Sequence, residues 1–274
     1  MQIYLNEKLI EIPVQSRLYS LREQFHPQAD ILIVNGHPAD NDSDLHEGDH
    51  IVMIQRGRQT SPQELQGLLT ARHTPAIQRK ISGARIGIAG AGGLGSTVAI
   101  ALTRIGIGSL VIADFDIVEP SNLNRQQYFI DQIGQPKAEA LRNTLQRINP
   151  GTNVKIFTAK VTPDNIGTIF GEVDMLVEAF DHADQKAMLV NTFLSKFPKK
   201  YLIAASGVAG HNSSNTIKTT KFTDHFYLCG DGVTDAKPGC GLMAPRVGIT
   251  AHHQANTILR LLLNLDEAVE EPCN

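Results

Sequence analysis

The chain has 274 residues, 42% hydrophobic and 19% charged, with a formal net charge of -3 and a pI near 6.4. That length allows one large domain or two modest ones, and the composition is ordinary for a soluble globular protein. A weakly acidic balance excludes a general pull toward nucleic acid or an anionic membrane, so any phosphate binding must rest on a few placed residues.

The first stretch, to Gly57, reads as a small unit of its own. Residues 2–6 and 8–12 look like two strands around a turn at Asn6-Glu7. Leu18, Leu21 and Phe25 fall at helical spacing. Two further apolar runs follow, 31–34 before Asn35-Gly36 and 50–54 after Glu47-Gly48-Asp49. Strands, a helix and more strands describe a β-grasp layout, with a core that is marginal at this size. Residues 56–62 are polar and carry Gly57 and Pro62, which marks a linker. Ser61 is expected to cap a helical connector that starts at Pro62 and runs on to Ile81.

From Arg85 the pattern becomes alternating strands and helices. Strands are expected at 86–89, 110–113, 154–157, 175–177 and 201–204. Leu94, Val98, Leu102 and Ile105 make one face of the first helix, and another spans 136–148 before Asn149-Pro150-Gly151. This alternation predicts a Rossmann-like, mainly parallel sheet with helices on both faces. The expected division is therefore 1–57, a connector at 58–84, and 85–274.

Gly90-Ala91-Gly92-Gly93-Leu94-Gly95 follows a strand and opens an amphipathic helix. Glycines let a phosphate approach the backbone, and the helix N-terminus offers unpaired N–H groups with partial positive charge. Asp114, at the end of the next strand, can accept hydrogen bonds from ribose hydroxyls. Alone, this supports NAD as readily as ATP.

The stretch that separates the two is Asp114-Phe115-Asp116, then Ser121-Asn122-Leu123-Asn124-Arg125-Gln126, then Gly134-Gln135-Pro136-Lys137, then Glu178-Ala179-Phe180-Asp181. In this order the motifs resemble the family of ThiF, MoeB and the ubiquitin-activating enzymes, over about 85–181 and more weakly to the C-terminus. The branch it looks most like carries a fused N-terminal ThiS-like domain, and residues 1–57 resemble ThiS-like sulfur carriers.

The resemblance implies an ATP- and Mg²⁺-dependent adenylyltransferase. Its catalytic residues would be Arg125 and Lys137, neutralising phosphates, and Asp181, holding Mg²⁺. Gly90, Gly92, Gly93, Gly95, Asp114 and Asn122 would bind ATP. Arg72, with Arg79 behind it, is the nearest match to an arginine that the family supplies across a homodimer.

Two departures stand out. Relatives hold a structural zinc on two Cys-x-x-Cys pairs, whereas Cys229, Cys240 and Cys273 are single, so no zinc is expected. His252 and His253, adjacent on a helix, diverge and make a poor metal pair. Cys240 and Cys229 are the candidates for a transferring thiol, although a free cysteine is more often a small buried hydrophobe.

An odd count of three cysteines in a chain this long fits the reducing cytoplasm. The N-terminus lacks the pattern of a signal peptide, and the longest apolar stretch, 258–265, carries Arg260 and falls short of the roughly 18 residues that span a bilayer. No membrane role is expected.

Carriers of the ThiS type end in a free Gly-Gly, whose carboxylate is adenylated. Here Gly57 continues into Arg58, and the chain closes on Pro272-Cys273-Asn274. The fused domain therefore lacks the group to be activated, and a separate ThiS-like carrier is the expected partner, with nucleic acid disfavoured. Thiamine or related sulfur metabolism follows by resemblance. The competing readings are activation of a small or tRNA-linked carboxylate and a nucleotide-binding scaffold without chemistry.

Overall fold

The structure is a computed structural model describing residues 1–6, 8–58 and 62–265. Glu7 in the expected first turn, the expected cap Ser61, and Cys273 lie outside the described residues. The chain divides into two compact units, Met1–Lys80 and Ile81–Asn274.

In the first unit, β1 (Gln2–Leu5), β2 (Lys8–Glu11), α1 (Leu18–Phe25), β3 (Ile31–Val34), β4 (His37–Pro38) and β5 (His50–Ile54) form a sheet of order β2-β1-β5-β3-β4. The β1–β5 pair is parallel and the others antiparallel, a β-grasp arrangement. Asn35 and Gly36, at φ 50° and 85°, make the two-residue turn between β3 and β4 that Asn-Gly favours. Leu18 and Leu21 of α1 bury against Ile3, Leu32 and Ile51. The expected single connector is instead two helices, α2 (Pro62–His73) and α3 (Pro75–Gly83). The break falls at Thr74, φ 69°, where Pro75 bars the preceding residue from helical geometry.

The second unit runs β6 (Arg85–Ala89), α4 (Gly93–Arg104), β7 (Ser109–Ala113), α5 (Lys137–Ile148), β8 (Asn153–Phe157), α6 (Ile166–Phe170), β9 (Met175–Glu178), α7 (Ala183–Lys196), β10 (Tyr201–Ala205), β11 (Lys218–Thr223), β12 (Phe226–Gly230) and α8 (Ala244–Leu262). Its seven-stranded sheet has the order β11-β12-β10-β9-β6-β7-β8 and is parallel except for β11. Of the five strands expected from the sequence, four make up its centre as β10, β9, β6 and β7, and the fifth, β8, is its edge. Phe170, Leu176, Leu189, Phe193 and Leu202 form one buried cluster against it. From β6 the chain builds outward through β7 to β8, then returns to lay β9 on the other side of β6. That reversal opens a crevice at the carboxyl ends of β6 and β9, the usual ligand position in such sheets.

Candidate active site

A cavity of about 630 Å³ occupies this crevice. Gly90 follows β6 at φ +98°, and a Cβ there would stand 2.8 Å from the carbonyl oxygen of Ala179, so only glycine lets the two turns lie together. A Cβ on Gly95 would meet the Gly90 carbonyl oxygen at 1.9 Å. Gly92 is the N-cap of α4, and the hydroxyls of Ser96 and Thr97 donate back to the carbonyls of Gly92 and Gly93. The first-turn N–H groups have no partner within the helix, and Gly92, Gly93 and Leu94 line the cavity. Unpartnered N–H groups at a helix start beside a glycine turn are a geometry that can receive an anion.

Asp114, 9% exposed, accepts from the Ala91 N–H at 2.6 Å and the Asp116 N–H at 2.8 Å. Burial pushes its carboxyl up, more strongly than those donors and Lys137 pull it down. Lys137, expected to face phosphate, lines the cavity with its side chain 8% exposed and donates to Asp116 at 2.9 Å. Asp116, which sequence alone leaves as either a supporting or a surface carboxylate, is thus its partner. Tyr128 places its hydroxyl 2.7 Å from the Ala91 carbonyl and 3.3 Å from that of Lys137. Burial, with Asp114 and Asp116 nearby, pushes that hydroxyl up, so it stays protonated and ties the glycine turn to the start of α5.

Arg125 lines the cavity, with Nη1 donating to the Ser121 carbonyl at 3.3 Å and to Asn124 Oδ1 at 2.9 Å. Asn122 is buried, and its Oδ1 accepts the Glu119 N–H at 3.0 Å. It closes the 3₁₀ turn Pro120–Asn122 and so shapes the loop that presents Arg125; it is not a cavity-lining group. Gln126 does line the cavity, buried, with Oε1 unpartnered among the described residues. Asp181 sits at the rim with its side chain 76% exposed, 3.8 Å from His182. Arg72 belongs to the last turn of α2 in the first unit. Cys229 is fully buried on β12 beside the Thr219 hydroxyl, whereas Cys240 is half-buried in the loop after β12.

Two buried ion pairs escaped the sequence reading, because each joins a strand end to a helix and forms only in the folded chain. Glu178, fully buried at the end of β9, receives Lys186 of α7 on both oxygens, at 3.0 and 3.1 Å, and the Phe180 N–H at 2.7 Å. Burial outweighs these donors and pushes the Glu178 carboxyl up. Lys186 also lines the cavity. The second pair is Asp231 with Arg246, at 2.6 Å, with side chains 7% and 4% exposed. Burial opposes the Asp231 carboxylate, but hydrogen bonds from Thr234, the Val233 N–H and Arg246 win and hold it at about 2.

A carboxyl held below its unfolded value contributes stability that is complete above about pH 4 and lost as pH falls toward 2. Melting temperatures of the wild-type chain should therefore drop more steeply between pH 4 and 2 than those of Asp231→Asn. Parallel curves for the two proteins would remove Asp231 from the account.

No group of three or more His, Cys, Asp or Glu residues among the described residues could hold a metal ion, and no helix among them is long and apolar enough to cross a membrane. The ThiF family matches residues 65–273, and ThiS-like ubiquitin matches residues 1–57. The chain is 33% identical over 106 residues to the probable adenylyltransferase/sulfurtransferase MoeZ of Mycobacterium tuberculosis, covering 38% of this chain but only 27% of MoeZ. It is 29% identical over 192 residues to the molybdopterin-synthase adenylyltransferase of Escherichia coli, covering 68% of this chain and 75% of that protein. Against the SAMP-activating enzyme E1 of Haloferax volcanii it is 33% identical over 130 residues, covering 47% of this chain and 43% of that protein. Among solved structures, E. coli tRNA N6-threonylcarbamoyladenosine dehydratase in complex with ATP shares the fold at a TM-score of 0.65 and 24% identity, over 72% of this chain and 93% of that one.

Proposed function

The chain belongs to the ThiF family, and from that premise we propose that it is an ATP-dependent adenylyltransferase acting on the C-terminal carboxylate of a separate ThiS-like sulfur carrier. The observation that carries the reading is the meeting of the α4 N-terminus, Arg125, Lys137 and Asp181 around one cavity at the carboxyl ends of the strands. A carboxylate oxygen attacks the α-phosphorus of ATP, and the bond to the departing pyrophosphate breaks. The negative charge of that step is met by the glycine-turn N–H groups, Arg125 and Lys137. Little covalent work falls to the protein, so alignment of carboxylate and α-phosphate supplies most of the acceleration.

Each remaining group has a task in this reading. Asp114 takes the ribose, and its burial among N–H donors fixes its direction. Asn122 orders the Arg125 loop. Asp181, exposed at the rim, suits Mg²⁺, which binds through one or two carboxylates together with phosphate oxygens and water. In this reading Cys240, half-buried in the loop after β12, is the candidate thiol for receiving an activated group. The enzyme works in the cytoplasm, in thiamine or related sulfur metabolism.

The fused ThiS-like domain is a tethered relation of the substrate that serves docking or regulation, since Gly57 is peptide-bonded to Arg58 and offers no carboxylate. Intact mass should therefore stay unchanged after incubation with ATP. Release of an N-terminal fragment cleaved after Gly57 would reverse this assignment.

A homodimer in which Arg72 crosses to the partner completes the reading. It is supported by exposed apolar side chains between β7 and α5, Phe115, Ile117, Phe129 and Ile130, each more than half exposed. Light scattering should give twice the chain mass, and Ile130→Glu should shift it to the monomer. A wild-type monomer at assay concentration refutes the cross-subunit role of Arg72.

The deciding experiment is ATP–pyrophosphate exchange. Exchange that requires a separately purified ThiS-like carrier ending in Gly-Gly supports the proposal. ATP binding without exchange toward any such carrier removes it. Exchange driven by a tRNA-linked carboxylate instead would assign the same chemistry to another substrate.

A further inference from the structure

Two loops that follow neighbouring strands, 206–213 after β10 and 231–243 after β12, line the cavity through Ser206, Gly207, Thr234, Ala236 and Leu242. Most of the second loop is exposed, with Val233 81% so, and has almost no apolar core of its own to hold it. Segments with few buried contacts are the first to open, and loss of such a wall leaves the cavity ill-defined.

What holds it is polar. Gly210 N–H donates to the Gly241 carbonyl at 2.9 Å, and Asn124 Nδ2 to the Leu242 carbonyl at 3.0 Å. The Asp231 and Gly232 N–H groups donate to the carbonyls of Gly207 and Ser206, both at 3.2 Å. Beneath them lies Arg246, from the first turn of α8. Its Nη1 donates to the carbonyls of Asn212 and Ser213, both at 3.1 Å, and its Nη2 to the Thr216 hydroxyl at 3.0 Å and to Asp231 at 2.6 Å. Asp231 in turn gathers the N–H groups of Val233 and Thr234, both at 2.9 Å, and the Thr234 hydroxyl. One planar guanidinium therefore joins both loops to the helix beneath them, a task a lysine with its single point charge cannot perform.

A buried pair of this kind is weak evidence for stability, because desolvation offsets attraction; its better-attested value is to select one arrangement. We infer that the Asp231–Arg246 pair is a positioning lock for the acyl substrate. It fixes the wall against which the carboxylate-bearing tail lies while leaving the nucleotide half of the site to Asp114, Arg125, Lys137 and Asp181. The inference rests on the adenylyltransferase reading above. It assigns the pair to substrate affinity, with no contact to the reacting atoms.

The test compares the full-length wild-type chain with Arg246→Lys, Asp231→Asn and the double variant Asp231→Asn/Arg246→Gln, which removes both charges together. Three quantities are read: ATP affinity by calorimetry, KM and kcat for the separately purified ThiS-like carrier in pyrophosphate exchange, and hydrogen exchange of 206–216 and 231–243. The lock predicts a carrier KM raised at least tenfold in the double variant and by a smaller factor in Arg246→Lys. ATP affinity should stay within twofold, and both loops should exchange faster. An unchanged carrier KM despite loosened loops overturns it, as does ATP affinity falling in step with carrier affinity. If Asp231→Asn does not fold, Arg246→Lys decides by the same split. Absence of exchange in the wild-type chain defeats the parent reading and this one with it; an active wild type with insensitive variants defeats this one alone.

Discussion

Arg125→Ala is expected to lower carrier-dependent pyrophosphate exchange by a factor of about 10²–10³, the cost of removing one preorganised donor aimed at developing charge. Two observations put the largest effect at this position. Lys137 is already paired with Asp116 at 2.9 Å, so part of its field is spent inside the protein. Arg125 lines the same cavity, and among the described residues it makes no ion pair; its hydrogen bonds go to a carbonyl and an amide oxygen. Its charge is therefore available to a triphosphate. The loss should fall mainly on kcat, because the interaction strengthens as charge moves onto the departing pyrophosphate, and ATP affinity should drop far less. Arg125→Lys should recover part of the rate, since a point charge replaces the fork but not its two-pronged geometry. Steady-state exchange at saturating ATP measures this directly. A rate within threefold of wild type would strike Arg125 from the catalytic set.

How much of this was legible beforehand depends on whether a signal is local. The glycine turn, the apolar strands around 86–89 and 110–113, and the Asn35-Gly36 hairpin are read from neighbours in sequence, and each lies where local chemistry puts it. The break at Thr74-Pro75 was also written in the chain, in the restriction that proline places on the residue before it. The antiparallel pair β11–β12 was not legible: Lys218–Thr223 is an edge strand, polar but for the exposed Phe222, and without a buried face it shows no alternation of hydrophobicity.

The site divides in the same way. Arg125 and Asp181 could be proposed from motif order, but the burial of Lys137 depends on Asp116, 21 residues earlier, and that of Arg246 on Asp231, 15 residues earlier. Such pairs form only when the sheet brings strand ends together. Asn122 shows a subtler limit. Residue type and motif marked it as a nucleotide contact, while the local backbone claims its oxygen for the Glu119 N–H, a use that side chains of this kind commonly find at turns.

The glycine turn yields the second large effect, because its four glycines are not equivalent. At Gly95 an added Cβ would lie 1.9 Å from the Gly90 carbonyl oxygen and 2.9 Å from its carbon. Those are backbone atoms at the end of β6, and Gly90 is itself pinned by its N–H to the Ala113 carbonyl at 2.9 Å and pressed against Ala179. Neither side can yield without dislodging the strand end from the helix. Gly95→Ala should therefore destabilise the second unit by about 1–3 kcal/mol or somewhat more, the range for overpacking a filled site. It should also abolish ATP binding, because the α4 N-terminus would move out of register with the cavity. At Gly92 the same methyl would meet only the Gln126 side-chain nitrogen at 3.8 Å, an ordinary contact, and φ of -75° is open to any residue. Gly92→Ala should accordingly keep its melting temperature while weakening ATP, since Gly92 lines the cavity and the methyl occupies space meant for phosphate. Calorimetric ATP titration beside thermal melting separates the two. Equal loss of stability in both variants, or undiminished ATP binding in Gly95→Ala, would show that the close approach of Gly95 to Gly90 does not set the shape of the phosphate cradle.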